Sequence, residues 1–191
     1  MENSMPRDDL IRRSINHLQK GARAPVFQLV GQAGETISSA DLLPQGPVVI
    51  TFYRGAWCPC CQADLRDFAT AMPELRKAGA SVLGVFHELG PEANAQATEE
   101  YHLEFPLVND PQGHAAEAFG IRRTAKEIAA LEQEFGPELL VLKESQPWIL
   151  PMQARFVIAP SGVIAQCDVV LDYYERSSAK DVIAAITDQD W

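Results

Sequence analysis

The sequence predicts an α/β protein with a central mixed β-sheet, helices on both faces of the sheet, an N-terminal helix and a helical insertion. Two apolar runs, Val48–Tyr53 and Ser81–Phe86, lack the alternation of a half-exposed strand and are expected to form central strands covered on both faces. A helical pattern follows each run, and a hairpin and a last helix come later. This order of elements predicts a mixed sheet between two layers of helices.

The first half of the chain begins with helical spacing and then alternates between strands and helices. Apolar residues three or four apart predict the helices, and β-branched runs predict the strands. Pro59 suits the first position of its helix, Pro73 is expected to kink that helix, and Gly79 is expected to end it. The predicted elements are a helix over residues 7–20, a strand over 24–30, a short helical segment over 36–43, a strand over 48–53, a helix over 58–78 and a strand over 81–86.

The second half of the chain contains shorter elements and a long segment that does not fit the alternation. Two strands flank the turn sequence Pro160–Gly162 and predict a β-hairpin. Residues 122–145 have apolar side chains at helical spacing and are interpreted as an insertion, which caps the site or contacts a second subunit. The predicted elements are a helix over residues 91–103, a strand over 106–108, a helix over 114–119, strands over 155–159 and 163–167, and a helix over 178–187.

Composition and charge restrict the class of protein. The 191 residues fit one domain over residues 21–191, preceded by an N-terminal helical extension over residues 1–20. A net charge of −10 disfavours nucleic acid and anionic membrane surfaces as partners. No apolar stretch approaches the length of a membrane span, and the N-terminus lacks the apolar core of a signal peptide. We therefore expect a cytoplasmic protein.

Three of the four cysteines lie within the stretch Cys58–Cys61, directly after the first central strand. Cys58 and Cys61 have the spacing of a dithiol pair that can form a disulfide across a tight turn, and Trp57 precedes them. At the start of a helix, free backbone N–H groups and the helix dipole favour a thiolate over a thiol. Because the thiolate is the nucleophile, this pattern predicts a reactive cysteine.

Four stretches of the sequence are similar to one known family. They are Gly21–Leu29, with its Ala-Pro and Phe-x-Leu pattern, Phe52–Cys61, which contains Trp-Cys-Pro-x-Cys, Phe105–Asp110 and Phe156–Gly162. Together they resemble the thioredoxin fold, and more specifically its peroxiredoxin-like branch, the alkyl hydroperoxide reductase and thiol-specific antioxidant (AhpC/TSA) family. The resemblance covers roughly residues 21–187 and implies a thioredoxin-like fold with thiol-based antioxidant activity.

The sequence departs from the pattern of this family at three positions. Peroxiredoxins place a Pro seven residues, and a Thr or Ser three residues, before the reactive cysteine, where this chain has Thr51 and Gly55. In the family the hydroxyl group helps to hold the peroxide, so Gly55 weakens the likeness to a peroxidase. The arginine that the family supplies from a late strand is replaced by Gln153. The nearby candidates to substitute for it are Pro151, Arg155 and Arg54.

The resemblance assigns roles to the cysteines. Cys58 is the predicted attacking thiolate, because it has the helix-start position and follows a tryptophan, as in thioredoxin-like sites. Cys61, one helical turn later, is the predicted resolving partner. The alternative for each of them is an inert buried cysteine. Cys60 either has a redox role or replaces an apolar residue, and Cys167 on the hairpin is expected to be a small core or edge residue.

Three further residues are candidates for the site. Trp57 is predicted to shield the dithiol, with core packing as the alternative. Arg54 is always charged and is predicted to stabilise a thiolate or a leaving oxyanion, with a solvated surface position as the alternative. His87 follows the second central strand and is expected at the same sheet edge as Cys58, as a general acid or base. A polar strand end is the alternative for His87 and for Glu88.

The main hypothesis is a thiol-dependent oxidoreductase that maintains cell redox homeostasis. The Cys58 thiolate attacks the O–O bond of hydrogen peroxide or an organic hydroperoxide and becomes a sulfenic acid, and Cys61 condenses with it to a redox-active disulfide. An external dithiol such as a thioredoxin resets the pair. The alternative with the same residues is a thioredoxin-like reduction of protein disulfides. Neither version requires an organic cofactor or a metal. Many family members dimerise, so a homodimer is a further expectation.

Two other classes of function stay open at this point. Three cysteines and His87 could hold copper or zinc, since soft thiolates suit both metals. Against this, the adjacent Cys60 and Cys61 are expected to diverge on a helix. A non-catalytic interaction protein with the same fold would have an unreactive Cys58.

Overall fold

The computed structural model describes residues 17–55, 58–87, 91–123, 150–151, 153–170, 177–189 and 191. The strands within these ranges are β1 (Gln28–Gly31), β2 (Thr36–Ser38), β3 (Val48–Tyr53), β4 (Ser81–Phe86), β5 (Leu107–Asn109), β6 (Arg122–Arg123), β7 (Leu150–Pro151), β8 (Gln153–Ile158) and β9 (Ile164–Val170). The helices are α1 (Ser39–Leu42), α2 (Pro59–Lys77), α3 (Pro91–Glu100), α4 (His114–Ala118) and α5 (Ala179–Thr187), and a 3₁₀ turn covers Leu43–Gln45.

Seven of these strands form one mixed sheet in the order β2-β1-β5-β4-β3-β8-β9. β3 pairs in parallel with β4 and antiparallel with β8, and β4 pairs in parallel with β5. β3 and β4 are thus central strands, as their apolar sequences predicted. β6 and β7 form a separate two-stranded sheet. The predicted α/β class with a central mixed sheet is confirmed.

The core consists of two layers, one on each face of the sheet. Because side chains alternate along a strand, Val49 and Tyr53 of β3 face one layer, whereas Ile50 and Phe52 face the other. The first layer contains the buried sides of α2 and α5, which pack against each other. The second contains α4 and a cluster of phenylalanines, in which the rings of Phe52 and Phe119 lie 5.3 Å apart.

α2 carries the site, and its sequence explains where it begins and ends. Its buried residues recur at helical spacing along one side of the helix and are Cys61, Asp64, Leu65, Phe68, Met72 and Leu75. The helix runs through Pro73, and the chain leaves it at Gly79, whose φ of 74° is a left-handed conformation that glycine adopts without strain. Helix start and stop therefore follow the predicted residues 58–78 to within one position.

The structure differs from the sequence prediction at the first strands. β1 begins at Gln28 rather than at residue 24, because the preceding backbone bonds elsewhere: the N–H of Ala24 donates to Gly162 and that of Phe27 to the Ser39 hydroxyl. The segment 36–43, predicted as helical, begins with strand β2, which pairs with β1. A helix follows only after β2.

The helix predictions also need corrections at their ends. α3 ends at Glu100 instead of residue 103, because the chain turns out of the helix through His102, whose φ is 51°. Residues 17–20 are not helical, and the remainder of the predicted N-terminal helix lies outside the described residues. Most of the predicted insertion over 122–145 also lies outside them, although it begins within β6. Among the described helices, none is long and apolar enough to cross a membrane.

Candidate active site

Cys58 is the residue that caps the N-terminus of α2. Its backbone N–H donates to the carbonyl oxygen of Gly55 (N···O 3.2 Å), which closes a tight turn between β3 and the helix. Pro59 takes the first helical position, where its missing N–H removes no helix hydrogen bond. The Cys58 side chain is only 1% exposed and belongs to the core layer beneath α2. The sulfur atom of Cys58 is therefore buried at the start of the helix, where the backbone N–H groups of Cys60 and Cys61 act on it.

The pKa of the Cys58 thiol is lowered to about 5. The largest cause is a hydrogen bond donated by the Cys61 thiol. The positive charge of Arg54 and the backbone N–H groups of Cys61 and Cys60 lower this pKa further, whereas burial opposes them. At neutral pH the Cys58 sulfur is therefore a thiolate, the form that attacks an electrophile.

Arg54 lies at the end of β3 and reaches the same sulfur. Its Nη2 donates to Cys58 Sγ at 3.1 Å, and the residue is 3% exposed. Burial excludes the alternative of a solvated surface arginine. A guanidinium beside a thiolate in a site with little water stabilises the negative charge more strongly than it would at the surface.

Cys61 completes this arrangement one turn into the helix. The hydrogen bond that its thiol donates to Cys58, together with complete burial, holds the pKa of Cys61 well above its usual range. Gln153 of β8 is also buried, and its Nε2 donates to Cys61 Sγ at 3.9 Å, a long contact within the range of sulfur acceptors. We refer to Arg54, Cys58, Cys61 and Gln153 as the thiolate cluster.

A second buried polar group lies one helical turn further along α2. We refer to it as the Asp64–Arg155 cluster, and its members are Thr51, Tyr53, Asp64 and Arg155. Arg155 Nη2 forms an ion pair with Asp64 Oδ2 at 2.6 Å, and its Nε donates to Thr51 Oγ1 at 3.0 Å. The Tyr53 hydroxyl donates to Asp64 Oδ2 at 2.8 Å. Burial first, and then the Asp64 charge, raise the pKa of Tyr53, so this hydroxyl keeps its proton.

Arg155 also fixes the chain that leads into α5. Its Nη1 donates to the carbonyl oxygen and the hydroxyl of Ser177, and its guanidinium lies 4.3 Å above the ring of Phe68. Arg155 was one of three candidates to replace the family's arginine at the sulfur, and this expectation is corrected. Pro151 pairs with Arg122 in the small sheet, and Arg54 is the candidate whose side chain is seen to contact Cys58.

The structure describes some of the other predicted site residues and not others. His87 is half-buried at the end of β4, and its Nδ1 lies 3.2 Å from the carbonyl oxygen of Asp110, which makes that nitrogen the donor. Its role as an acid or base stays a prediction. Trp57 and Glu88 lie outside the described residues. Cys60 is half-buried against the core layer beneath α2, and Cys167 is half-buried on the edge strand β9.

Asp64 and Tyr53 were not identified from the sequence, although the sequence contains a signal for them. Asp64 is a charged residue on the apolar stripe of α2, where a carboxylate needs a buried partner. Gln153 and Arg155 lie two positions apart on β8, so their side chains are on the same face, towards α2. Gln153 contacts Cys61 of the helix, and Arg155 contacts Asp64. Reading the two polar positions of each element together indicates that α2 and β8 both carry polar side chains on their buried faces, whereas which residues meet depends on how the helix packs on the sheet.

The described residues contain no group of three or more His, Cys, Asp or Glu side chains that could hold a metal ion. None of the four cysteines is part of a disulfide. The arrangement thus supports thiol chemistry: a stabilised thiolate, a protonated second thiol beside it and a cation.

Comparisons with known proteins agree with this chemistry. The sequence model of the AhpC/TSA family matches residues 20–167. The chain is 35% identical to Peroxiredoxin Bcp of Escherichia coli over 107 residues, which are 56% of this chain and 67% of that protein. It is 34% identical to a putative peroxiredoxin of Haemophilus influenzae over 107 residues, 56% of this chain and 68% of that protein.

Solved structures have the same fold. Peroxidoxin BcpB from Mycobacterium tuberculosis superposes with a TM-score of 0.70 at 23% identity, covering 90% of this chain and 97% of that chain. Peroxiredoxin Q from Xanthomonas campestris superposes with a TM-score of 0.66 at 21% identity, covering 84% and 89%. At these identities the likeness concerns the fold alone, and it confirms the thioredoxin-like architecture.

Proposed function

The chain belongs to the AhpC/TSA family, and on that premise we propose that it reduces hydroperoxides with Cys58 as the attacking thiolate and Cys61 as the resolving thiol. The observation that carries this assignment is the opposite protonation of the two sulfurs. Cys58 is a thiolate held by Arg54 and the start of α2, and Cys61 is a thiol that donates to it. The named relatives are peroxiredoxins, which favours peroxide over protein disulfides as the substrate.

The first step forms a sulfur–oxygen bond. Cys58 Sγ attacks the terminal oxygen of R–O–O–H, the O–O bond breaks, and the product is Cys58–SOH with RO⁻ as the leaving group, which takes a proton from water. Arg54 stabilises the thiolate before the attack and lies close enough to Sγ to stabilise the negative charge that moves to the leaving oxygen. The sulfur atom is oxidised by two electrons, and the two oxygen atoms of the peroxide are reduced by them.

The second step forms a disulfide within one helical turn. Cys61 Sγ attacks the sulfur of Cys58–SOH, the S–O bond breaks, and the hydroxide leaves as water with the proton of the Cys61 thiol. Before the reaction, the Cys61 thiol already donates a hydrogen bond to the Cys58 thiolate, so the two sulfur atoms are neighbours. A thioredoxin-type dithiol then reduces the disulfide by thiol–disulfide exchange. Trp57 and His87 are proposed to border this site as shield and as acid or base.

The remaining assignments concern the whole protein. We propose a domain over residues 21–191 with an N-terminal extension over residues 1–20 and an insertion at about 122–145, and the family match beginning at residue 20 supports the domain start. A cytoplasmic location is consistent with a cycle that needs a reducing dithiol. A homodimer is a further proposal, which the mass of the protein in solution tests directly.

Peroxide consumption with a thioredoxin system tests the roles of the cysteines. Cys58→Ser is expected to lower turnover to the uncatalysed level. Cys61→Ser is expected to keep a single turnover and to lose the following ones, because the sulfenic acid then has no resolving thiol. Cys60→Ser is the matched control and is expected to stay within about twofold of the wild type, as for a position without a role in the chemistry.

Two outcomes would contradict the proposal. Turnover that survives in Cys58→Ser would remove Cys58 as the nucleophile. A wild-type protein that consumes no peroxide above background but reduces insulin disulfides would make the thioredoxin-like alternative the function of this site.

A further inference from the structure

Gln153 has one buried polar atom that no described residue satisfies. The residue is 2% exposed, and its Oε1 has no hydrogen-bond partner. Its Nε2 donates to Cys61 Sγ at 3.9 Å, so the amide lies beside the sulfur of the thiol that is hydrogen-bonded to Cys58. A buried acceptor without a donor costs free energy in the empty site, and a ligand with a donor group removes that cost.

The hydrogen bonds of the thiolate cluster explain why Gln153 Oε1, rather than Nε2, is the amide atom without a partner among the described residues. Gln153 Nε2 donates to Cys61, the Cys61 thiol donates its single proton to Cys58, and Arg54 donates to the same thiolate. Rotating the amide by half a turn would place Oε1 near a thiol whose proton is already used by Cys58. The orientation with Nε2 on Cys61 is therefore the one that the two sulfurs favour, and Oε1 stays available.

The position of Gln153 in the sheet places it at the same end of β3 as Arg54. Ala154 pairs with Phe52 on β3, so Gln153 lies next to the end of β3, from which Arg54 extends. Gln153 faces α2 from the strand side, and Arg54 approaches Cys58 from the loop. A small molecule at Cys58 would meet a donor, Arg54, and an acceptor, Gln153 Oε1.

A hydroperoxide has the matching chemistry. Its terminal oxygen, which the thiolate attacks, carries a proton and can donate one hydrogen bond, and its other oxygen accepts. We propose that Gln153 is a substrate-binding residue whose Oε1 accepts the hydrogen bond from the O–H group of the hydroperoxide, while Arg54 donates to the leaving oxygen. Gly55 has no side chain that could accept this bond. The inference rests on the proposed peroxidase function and adds the class of ligand: a protonated hydroperoxide.

This bond persists through the first step. The O–O bond breaks and the S–O bond forms, but the proton on the terminal oxygen is not transferred, so the sulfenic acid Cys58–SOH donates to the same Oε1. Gln153 Nε2 meanwhile keeps its contact with Cys61, the next nucleophile. One amide thus holds the oxygen that is attacked and contacts the thiol that attacks next.

The test compares two reactions of the same thiolate. Hydrogen peroxide has an O–H donor, whereas methyl methanethiosulfonate modifies thiolates and has no hydrogen-bond donor. Gln153→Met removes both amide atoms at similar size. We expect the rate constant with hydrogen peroxide, divided by that with methyl methanethiosulfonate, to fall by about tenfold or more, which corresponds to one lost hydrogen bond to a buried group.

A ratio within about twofold of the wild type would overturn the role of Gln153, since a change in the thiolate alone alters both rates together. If Gln153→Met does not fold, Gln153→Asn keeps the amide but withdraws its oxygen by one methylene group, and the ratio is again expected to fall. An unchanged ratio in that variant would equally contradict the proposal. A wild-type protein that does not react with peroxide would instead contradict the proposed function itself.

Discussion

Two polar clusters lie beneath the same helix, one turn apart, and they differ in how completely they are satisfied. Within the described part of the chain, every buried polar side-chain atom of the Asp64–Arg155 cluster has a hydrogen-bond partner. In the thiolate cluster, Gln153 Oε1 has none. Both clusters are buried, both contain an arginine, and both join α2 to the sheet. Burial and charge alone therefore do not distinguish a structural cluster from the one that we propose to be reactive.

The difference indicates which of the two clusters has a hydrogen-bonding group left for a substrate. A saturated cluster has no group left to bind a substrate, and its ion pair mainly fixes α2, β8 and the entry to α5 in one geometry. An incomplete cluster costs stability, which is tolerated where a substrate completes it. The prediction that follows is a separation of effects: changes in one cluster alter stability, and changes in the other alter reactivity.

The largest expected effect is on stability, from breaking the buried ion pair. Asp64→Asn leaves Arg155 buried without its counter-charge, and we expect the free energy of unfolding to fall by about 3–5 kcal/mol. Urea denaturation measures this loss. The double variant Asp64→Leu with Arg155→Met removes both charges and is expected to lose less than the single variant.

The matched control is an ion pair at the surface. Arg76 and Glu104 form such a pair with side chains 54% and 56% exposed, so Glu104→Gln is expected to cost at most about 1 kcal/mol. A loss in Asp64→Asn no larger than the loss in Glu104→Gln would show that the Asp64–Arg155 cluster does not hold the fold together.

The next effect is on reactivity, from removing the cation at the sulfur. The pKa of Cys58 is about 5, so its thiolate fraction is expected to be half-maximal at that pH and constant from pH 7 upward. Arg54→Met removes a positive charge that stabilises the thiolate. We expect the midpoint to rise by about one pH unit or more, so that reactivity at pH 5.5 falls while reactivity at pH 9 changes little.

The pH dependence of the reaction with methyl methanethiosulfonate measures this midpoint. Arg54→Lys keeps the charge without the planar guanidinium and is the control, with a smaller expected shift. A midpoint that stays near pH 5 in Arg54→Met would mean that the start of α2 and Cys61 hold the thiolate without Arg54.

The smallest expected effect comes from Thr51, at the edge of the Asp64–Arg155 cluster. Thr51→Val keeps the shape of the side chain but removes the acceptor of Arg155 Nε. We expect a loss of about 1 kcal/mol of stability and an unchanged rate with hydrogen peroxide. A loss of peroxide reactivity without a loss of stability would show that the two clusters are coupled through Arg155.

The sequence was sufficient for the part of the site that depends on chain order. Cys58, Cys61 and Arg54 follow one another around a strand end and a helix start, so the strand–helix pattern predicts their proximity. Asp64 and Gln153 meet their partners through the packing of α2 on β8, between residues about ninety positions apart in the chain. Such contacts depend on the rotation of a helix over a sheet, which one sequence does not specify.

The same reason explains the corrections in the fold. The apolar strands β3 and β4 were predicted to the residue, because burial on both faces leaves an unbroken apolar run. β2 was missed, since an edge strand of three residues has too few residues for a pattern and is fixed by its pairing with β1. Arg155 was considered as one of three possible replacements for the family's arginine because its charge is visible in the sequence, whereas its ion pair with Asp64 is visible only in the structure.

The small sheet of β6 and β7 has a consequence for how the length of this chain can vary. Arg122 pairs with Pro151 and Arg123 with Leu150, so the chain returns to its starting point before it enters β8. Residues can therefore be added or removed between these strands while α4 and β8 keep their places. Because each doubling of a closed loop costs only about 0.6 kcal/mol, this is where relatives of different length can diverge while the sulfur chemistry stays the same.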